Sequence, residues 1–200
     1  MTRSVRRGAT ALLTVLACAL PAGGAQASTG VNLAQATIEQ DGGRAFDFAW
    51  DISTQRGGVV DQANKAHAAA RCMGCEATAI AFQIVLVSGA PSTVAPTNEA
   101  VALNLECTEC EVVAEARQFV RVVDAPVRIT GAGRRELGDV RRTLRDLEAQ
   151  DPPIDQLHQA VESQEARVKQ VLNSELVLKK DPSQDADVID AQLEQDADLG

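Results

Sequence analysis

The fold of this chain is decided by two stretches, RCMGCEATAIAFQIVLV at residues 71–87 and ECTECEVVAEARQFVRV at residues 106–122. Laid over each other, both read C-x-x-C-E-x-x-A-x-A-x-Q-x-V-x-V, so that Cys107 follows Cys72 by 35 residues. A repeat this regular indicates one supersecondary unit that is used twice. The two cysteine pairs, Cys72 with Cys75 and Cys107 with Cys110, should therefore occupy equivalent places in the two copies.

The residues on both sides of each CxxC pair indicate strands. The segment after each pair is rich in Val, Ile and Phe, and Val101, Leu103 and Leu105 alternate with polar or small residues before the second pair. Two residues between the cysteines are enough for a tight turn. We predict that each copy is an antiparallel hairpin with its CxxC pair at the tip.

A third hairpin is predicted ahead of the repeats. Phe46, Phe48, Trp50 and Ile52 alternate with small or acidic residues, which is the period of a strand with one buried face. The Asp-Gly pair at residues 41–42 is a hairpin signal. The acidic residues between the aromatic ones, at 47 and 51, are then expected on a solvated outer face.

From residue 134 the apolar period changes to alternating steps of three and four, which indicates two amphipathic helices. Asp151 should cap the second helix, since two prolines follow it. The narrow stripe is a candidate surface for a protein partner or for self-association, as in a coiled coil, and packing onto the chain's own sheet is the alternative. The stripe consists of Leu137, Val140, Leu144, Leu147, Leu157, Val161, Val168 and Val171.

The predicted fold class is α+β, a small antiparallel β domain of repeated CxxC hairpins followed by a C-terminal helical hairpin. The β-rich domain should cover residues 28–130 and the helical hairpin residues 134–180. Residues 181–200 contain seven acidic residues and no Lys or Arg. Such a segment has little apolar surface, so a disordered acidic tail is expected.

Residues 1–27 have the pattern of a secretory signal peptide. Three arginines precede a short apolar run, and the Ala-Gln-Ala triplet ends at Ala27. We therefore expect a secreted or cell-envelope protein of bacterial type. Arg6-Arg7 leaves twin-arginine export open, and the residues before Cys18 leave a lipid anchor open.

Composition excludes several kinds of partner. The formal net charge is −9, and it becomes more negative when the three leader arginines are removed. A nucleic acid requires a basic face, so it is not an expected partner. No segment after the leader is long and apolar enough to be an integral membrane span.

The four cysteines allow three kinds of chemistry. An exported chain with an even cysteine count favours two disulfides, in any of three pairings. Zinc bound by Cys72, Cys75, Cys107 and Cys110 is the alternative cofactor, although the Glu after each pair adds negative charge near thiolates. A thiol-disulfide oxidoreductase is the third possibility, and the strand sequence and acidic neighbours do not favour a reactive thiolate.

Motifs for other enzyme classes are absent. The sequence contains no HExxH, no GxSxG and no glycine-rich phosphate loop. His67 lies five residues before Cys72 and could join a metal site, but it is expected to be an exposed strand histidine. The chain is therefore expected to be no enzyme and to have no cofactor.

The doubled motif, CMGCEATAIAFQIVLVSG followed by PTNEAVALNLECTECEVVAEARQFV, resembles the extracytoplasmic double-CxxC region of actinobacterial proteins named peptide zinc metalloproteases. The resemblance covers residues 59–130 and, more loosely, the helices. It implies an envelope setting and cooperation with a membrane protease, but no proteolysis by this chain, which lacks HExxH. We expect a non-catalytic binding or structural module of the cell envelope, stapled by two disulfides.

Overall fold

The computed structural model describes residues 28–179. The predicted leader, with Cys18, and the predicted acidic tail lie outside these residues. In chain order the elements are β1 (Ser28–Ile38), β2 (Arg44–Ala70), β3 (Glu76–Val94), β4 (Thr97–Asn104), β5 (Glu111–Val123), β6 (Val127–Ile129), α1 (Gly131–Gln150), α2 (Ile154–Ser174) and β7 (Leu176–Leu178).

The first five strands pair in parallel and form a short solenoid. Ser28 lies opposite Val60, and Glu76 lies opposite Glu111, so each strand pairs with a segment 32 to 35 residues further along the chain. Three coils are stacked in this way. Coil 1 consists of β1 and the first half of β2, coil 2 of the second half of β2 and β3, and coil 3 of β4 and β5.

The prediction of an antiparallel β domain of hairpins is wrong. The two strand segments that flank a CxxC turn do not pair with each other; each pairs with the corresponding segment of a neighbouring coil. A parallel pair needs a connection of a dozen or more residues, and a whole coil supplies it. The Asp41-Gly42 turn likewise joins β1 to residues 44–56, which do not pair with each other, so no hairpin forms there.

Each coil contributes one strand to each of two facing walls. We call β1, residues 60–70 and β4 the free wall, and residues 44–56, β3 and β5 the helix-covered wall. Buried alanines from both walls meet between them, and their small side chains let the backbones approach closely. These alanines include Ala34, Ala36, Ala66, Ala68, Ala77, Ala79 and Ala81.

An asparagine ladder runs through the three coils between the walls. The Asn32 Nδ2 donates to Asn64 Oδ1 at 2.8 Å, and the Asn64 Nδ2 donates to Asn98 Oδ1 at 2.9 Å. Asn64 also donates to the Ala81 carbonyl across the core at 3.1 Å. Because Asn64 is fully buried, these bonds replace those that its amide would make with water.

Asn64→Ala should lower the free energy of unfolding by about 2 kcal/mol, since it leaves buried partners of the ladder without a hydrogen bond. Urea unfolding followed by circular dichroism measures this loss. Asn104→Ala, at an exposed position of β4, is the matched control and should be nearly neutral. Equal effects of the two substitutions would contradict a structural role for the ladder.

The aromatic side chains lie on the outer face of the helix-covered wall. Phe82 is fully buried, and its ring lies 5.9 Å from that of Trp50 and 6.1 Å from that of Phe119. Both helices pack on this face, and the predicted stripe residues form one core with the rings. All eight residues of the stripe, from Leu137 to Val171, are buried there, so packing on the chain's own sheet is the arrangement in the structure.

The helix ends differ in part from the prediction. The Thr130 hydroxyl caps α1 by accepting from the Gly133 amide at 3.0 Å. Asp151 ends α1 in a left-handed conformation, with φ of 47°, so its predicted role as the cap of α2 is wrong. The segment after α2 forms β7, which pairs antiparallel with β6 and ties the helical hairpin back to the end of the solenoid. Within residues 28–179, neither helix is long and apolar enough to cross a membrane.

Candidate cysteine site

The two CxxC turns lie directly on top of each other at one end of the walls. Met73 and Thr108 form a parallel bridge, and the Gly74 amide donates to the Thr108 carbonyl at 2.9 Å. The Glu111 amide donates to the Cys75 carbonyl at 2.9 Å. The stacking of coils 2 and 3 therefore continues through the turns and brings all four cysteines together.

The structure bonds the cysteines within each turn. Cys72 is linked to Cys75 with Cα atoms 6.0 Å apart, and Cys107 is linked to Cys110 with Cα atoms 5.9 Å apart. Both separations are ordinary for a disulfide. This is one of the three pairings that the sequence allowed.

The two disulfides are also close to each other. The Cys75 sulfur lies 3.2 Å from that of Cys110 and 3.8 Å from that of Cys107. Cys75 is fully buried and Cys72 is 7% exposed, whereas both cysteines of the coil 3 turn are partly exposed. A reagent from solvent therefore meets the coil 3 disulfide first, and the coil 2 disulfide lies behind it.

A third turn of the same kind lies beneath the two cysteine turns. Gly42, Gly74 and Glu109 occupy equivalent places and share φ values of 64°, 60° and 58°. The Gly42 amide donates to the Met73 carbonyl at 2.9 Å. In this first turn Gln40 and Gly43 stand where the later turns have cysteines, so sequence comparison of the CxxC pairs alone missed it. The spacing of Asn32, Asn64 and Asn98 is the signal that could have shown three coils.

The carboxylates that directly follow the second cysteine of each turn lie on the other face of the sheet. Glu76 and Glu111 line the small cavity beneath the helical hairpin, together with Leu147. The Glu76 carboxylate pairs with the Arg44 guanidinium at 2.9 Å, and Arg44 also contacts Asp151. The sulfurs instead pack with the alanines between the walls. The negative charge that the sequence places beside each second cysteine is therefore separated from the sulfurs by the strand backbone.

His67 lies away from the cysteines. Its Nε2 lies 2.9 Å from a carboxylate oxygen of Glu99 on the outer face of the free wall. The hydrogen bond with His67, aided by Lys65, holds the pKa of the Glu99 carboxyl below its ordinary value. His67 thus belongs to an ion-pair cluster on the surface and not to the cysteine site.

A chain of ionic contacts joins coil 3 to α2. The nearly buried Glu115 contacts the Arg117 guanidinium at 2.7 Å and the His158 ring at 2.5 Å. Arg117 also bonds Glu165 at 2.7 Å, and Lys169 bonds the other oxygen of that carboxylate. The hydrogen bond from Lys169, with a smaller one from Arg117, keeps the pKa of Glu165 below its ordinary value.

The lowered pKa of Glu165 predicts a loss of stability in acid. Because the folded pKa lies below the unfolded one, the carboxylate stabilises the fold above about pH 4.5, and this contribution disappears as the pH falls through the folded pKa. Urea unfolding at about pH 7 and about pH 3.5 should show a smaller pH effect in Glu165→Gln than in the natural chain. Glu162→Gln, at an exposed position of the same helix, should keep the full pH effect. An unchanged pH effect in Glu165→Gln would contradict the prediction.

No protein-family model, curated protein or solved structure matches this chain. The resemblance to the double-CxxC region of the actinobacterial proteins remains a prediction.

Proposed function

We propose that this chain is an exported, non-catalytic binding or structural module of the bacterial cell envelope, stapled by the Cys72–Cys75 and Cys107–Cys110 disulfides. The observation that carries the proposal is that the outer faces of the two walls differ in what covers them. The helical hairpin covers one wall with its whole apolar stripe, while the outer face of the other wall is open. A rigid solenoid with one open face suits the display of a binding surface.

The open face has the chemistry of a protein contact. Val31 is 69% exposed and Leu33 is 43% exposed on β1, and Leu103 is 46% exposed on β4. Between these apolar residues, Lys65 and His67 pair with Glu99. Exposed apolar side chains beside ion-pairing groups offer another protein both apolar surface to bury and charges to complement. We therefore place the partner surface on the free wall and not on the helices.

The disulfides suit this role in an oxidising compartment. Each closes a loop of only two intervening residues, which is worth about 1.9 kcal/mol in the chain-entropy model. The disulfides stabilise the structure locally, because they fix the turns at one end of the coils. One of these turns follows β4, which is an edge strand. A solenoid with a core of small side chains gains less from apolar burial, so fixed turns help to hold the coils in register.

The proposal is tested first by the state of the cysteines. The chain is expressed with its leader in a bacterial host, and the exported protein is denatured and alkylated without reductant before its intact mass is measured. Two disulfides and no alkylated cysteine in the exported fraction are expected. A chain that stays in the cytoplasm with its leader and with all five cysteines alkylated would contradict the proposal.

The binding role is tested by cross-linking. A photo-reactive amino acid replaces Leu33 on the free wall, and the matched control replaces Glu162 on the solvent side of α2. Discrete cross-links to envelope proteins are expected from the first position and not from the second. No cross-link from the free wall, or equal cross-linking from both positions, would contradict the assignment of the partner surface.

A further inference from the structure

The two disulfides lie against each other, and three of the four cysteine sulfurs form one compact cluster. The sulfurs of Cys72, Cys75 and Cys110 all lie within 4.8 Å of one another. The Cys107 sulfur lies 3.8 Å from that of Cys75. Two disulfides that each close their own turn would not need their sulfur atoms to lie this close to each other.

The distribution of cysteines among the coils points to a shared site. The same left-handed turn occurs three times, at Gly42, Gly74 and Glu109. Only the last two turns, which are neighbours, carry cysteines. Together they supply four sulfurs, which is the full ligand set of a closed tetrahedral zinc site.

Two of the sulfur-to-sulfur distances between coil 2 and coil 3 are close to those of a zinc site. Four sulfurs about 2.3 Å from a zinc ion lie about 3.8 Å from one another at the corners of a regular tetrahedron. The separation between the Cys75 and Cys107 sulfurs is 3.8 Å, and that between Cys75 and Cys110 is 3.2 Å. Opening each disulfide frees the two sulfurs of a turn to separate by rotation of their side chains, while the stacked backbones stay in place.

The surroundings of the cluster also suit a metal. Four thiolates and a zinc ion carry a net charge of about −2, which nearby carboxylates would make less favourable. Glu76 and Glu111 lie across the strand backbone, under the helical hairpin, and Arg44 pairs with Glu76. Glu106 and Glu109, beside the coil 3 cysteines, are exposed, so solvent screens their charge. Burial of Cys72 and Cys75 among alanines closes the site on its inner side.

We propose that the four-thiol form of this protein binds one Zn²⁺ ion through Cys72, Cys75, Cys107 and Cys110, joining coil 2 to coil 3. A dithiol reductant generates that form: each disulfide takes up two electrons and two protons, and one dithiol per disulfide is oxidised to its own disulfide. Binding of Zn²⁺ then releases the thiol protons to the buffer. The metal-bound and disulfide forms are alternative states of one cluster, because they use the same sulfur atoms.

Cobalt titration of the exported chain, from which the leader with Cys18 has been removed, tests the site. The protein is reduced with dithiothreitol, freed of reductant without oxygen, and titrated with Co²⁺, whose tetrahedral thiolate complexes absorb visible light. One Co²⁺ per chain is expected, with a sulfur-to-metal charge-transfer band and with displacement by one Zn²⁺. Zn²⁺ should also raise the melting temperature of the reduced chain, since it binds the folded state.

Single substitutions test whether both turns contribute. Cys75→Ser and Cys107→Ser should each weaken Co²⁺ binding by at least about 100-fold, because loss of a ligand costs no less than loss of its supporting contacts. Met73→Ser, between the cysteines and 63% exposed, is the matched control and should bind as the natural chain does. Circular dichroism of each reduced variant shows whether it remains folded.

Several results would overturn the inference. One is the absence of a charge-transfer band in the folded, reduced natural chain. Another is the binding of two Co²⁺ ions per chain. The third is unchanged Co²⁺ binding in Cys75→Ser or Cys107→Ser. The titration of the natural chain shows whether the metal site exists even where a variant does not fold. Failure here leaves the proposed envelope function standing, because the disulfide count and cross-linking of the oxidised chain test that function separately.

Discussion

Phe82→Ala is expected to lower the free energy of unfolding by about 3–5 kcal/mol. Phe82 is fully buried at the centre of the helix-covered wall, between the rings of Trp50 and Phe119. Removing its ring leaves a cavity that the flat, hydrogen-bonded strands on either side cannot fill by moving. It also removes the middle member of a series of ring contacts, which adds to the loss from burial alone.

Chemical denaturation of the oxidised chain measures the effect of Phe82→Ala. Val31→Ala is the matched control, since Val31 is 69% exposed on the opposite wall and its loss should change stability by less than about 0.5 kcal/mol. Near-ultraviolet circular dichroism of Trp50 should change only in the Phe82 variant. A loss below about 1 kcal/mol would show that the ring is not at the centre of the core.

Ala79→Leu is the second substitution with a large expected effect, a loss of about 3 kcal/mol. Ala79 is fully buried in the layer of alanines between the walls. The extra carbons of leucine would need the two walls to separate, and the asparagine ladder crosses the same space with bonds near 3 Å. Overpacking therefore strains hydrogen bonds as well as side chains.

Ala63→Leu is the control for this substitution, because Ala63 lies on the outer face of the free wall. The two variants gain the same side chain in the same kind of strand, so propensity cancels between them. Their midpoints in urea should differ strongly, with the Ala79 variant the less stable. Equal stability would contradict the close approach of the two walls.

Much of the local structure could be predicted from the sequence. The strands after each CxxC pair, the buried alternation from Phe46 to Trp50 and the helical stripe from Leu137 to Val171 all follow from periodicity, and the structure has these elements. The direction of strand pairing could not be predicted in the same way. Alternation says which face of a strand is buried, and it is the same in parallel and antiparallel sheets.

The position of Asp47 shows why the prediction of a solvated face on the first aromatic strand was wrong. The alternation places Asp47 opposite the aromatic face, and a single sheet would expose it to solvent. In a solenoid both faces of the helix-covered wall are packed, so Asp47 points towards the free wall, where its carboxylate accepts a hydrogen bond from the backbone N–H of Gln35 at 2.6 Å. Small residues on the second face, such as Ala45 and Ala49, were the sign that this face was also packed.

The cysteine site was predictable in its members and not in its geometry. Equivalent cysteines in two repeats must lie in equivalent turns, but the distance between those turns depends on how the repeats stack. Antiparallel hairpins could lie anywhere relative to each other, whereas parallel stacking in register fixes Cys75 and Cys110 as neighbours. The closeness of the two disulfides therefore could not be predicted without the strand direction.

Because the coils stack in register, each coil adds the same fixed length to the solenoid. Each coil raises the solenoid by one strand spacing of about 4.8 Å, and coil 3 repeats the turn, the asparagine and the glutamine positions of coil 2. Duplication or deletion of one 35-residue unit in the gene would therefore change the length of the solenoid by one strand spacing. The buried residues of adjacent coils would still lie opposite equivalent residues. The span between its first and last coils can thus evolve in discrete steps, and each step adds or removes one strand of the free wall.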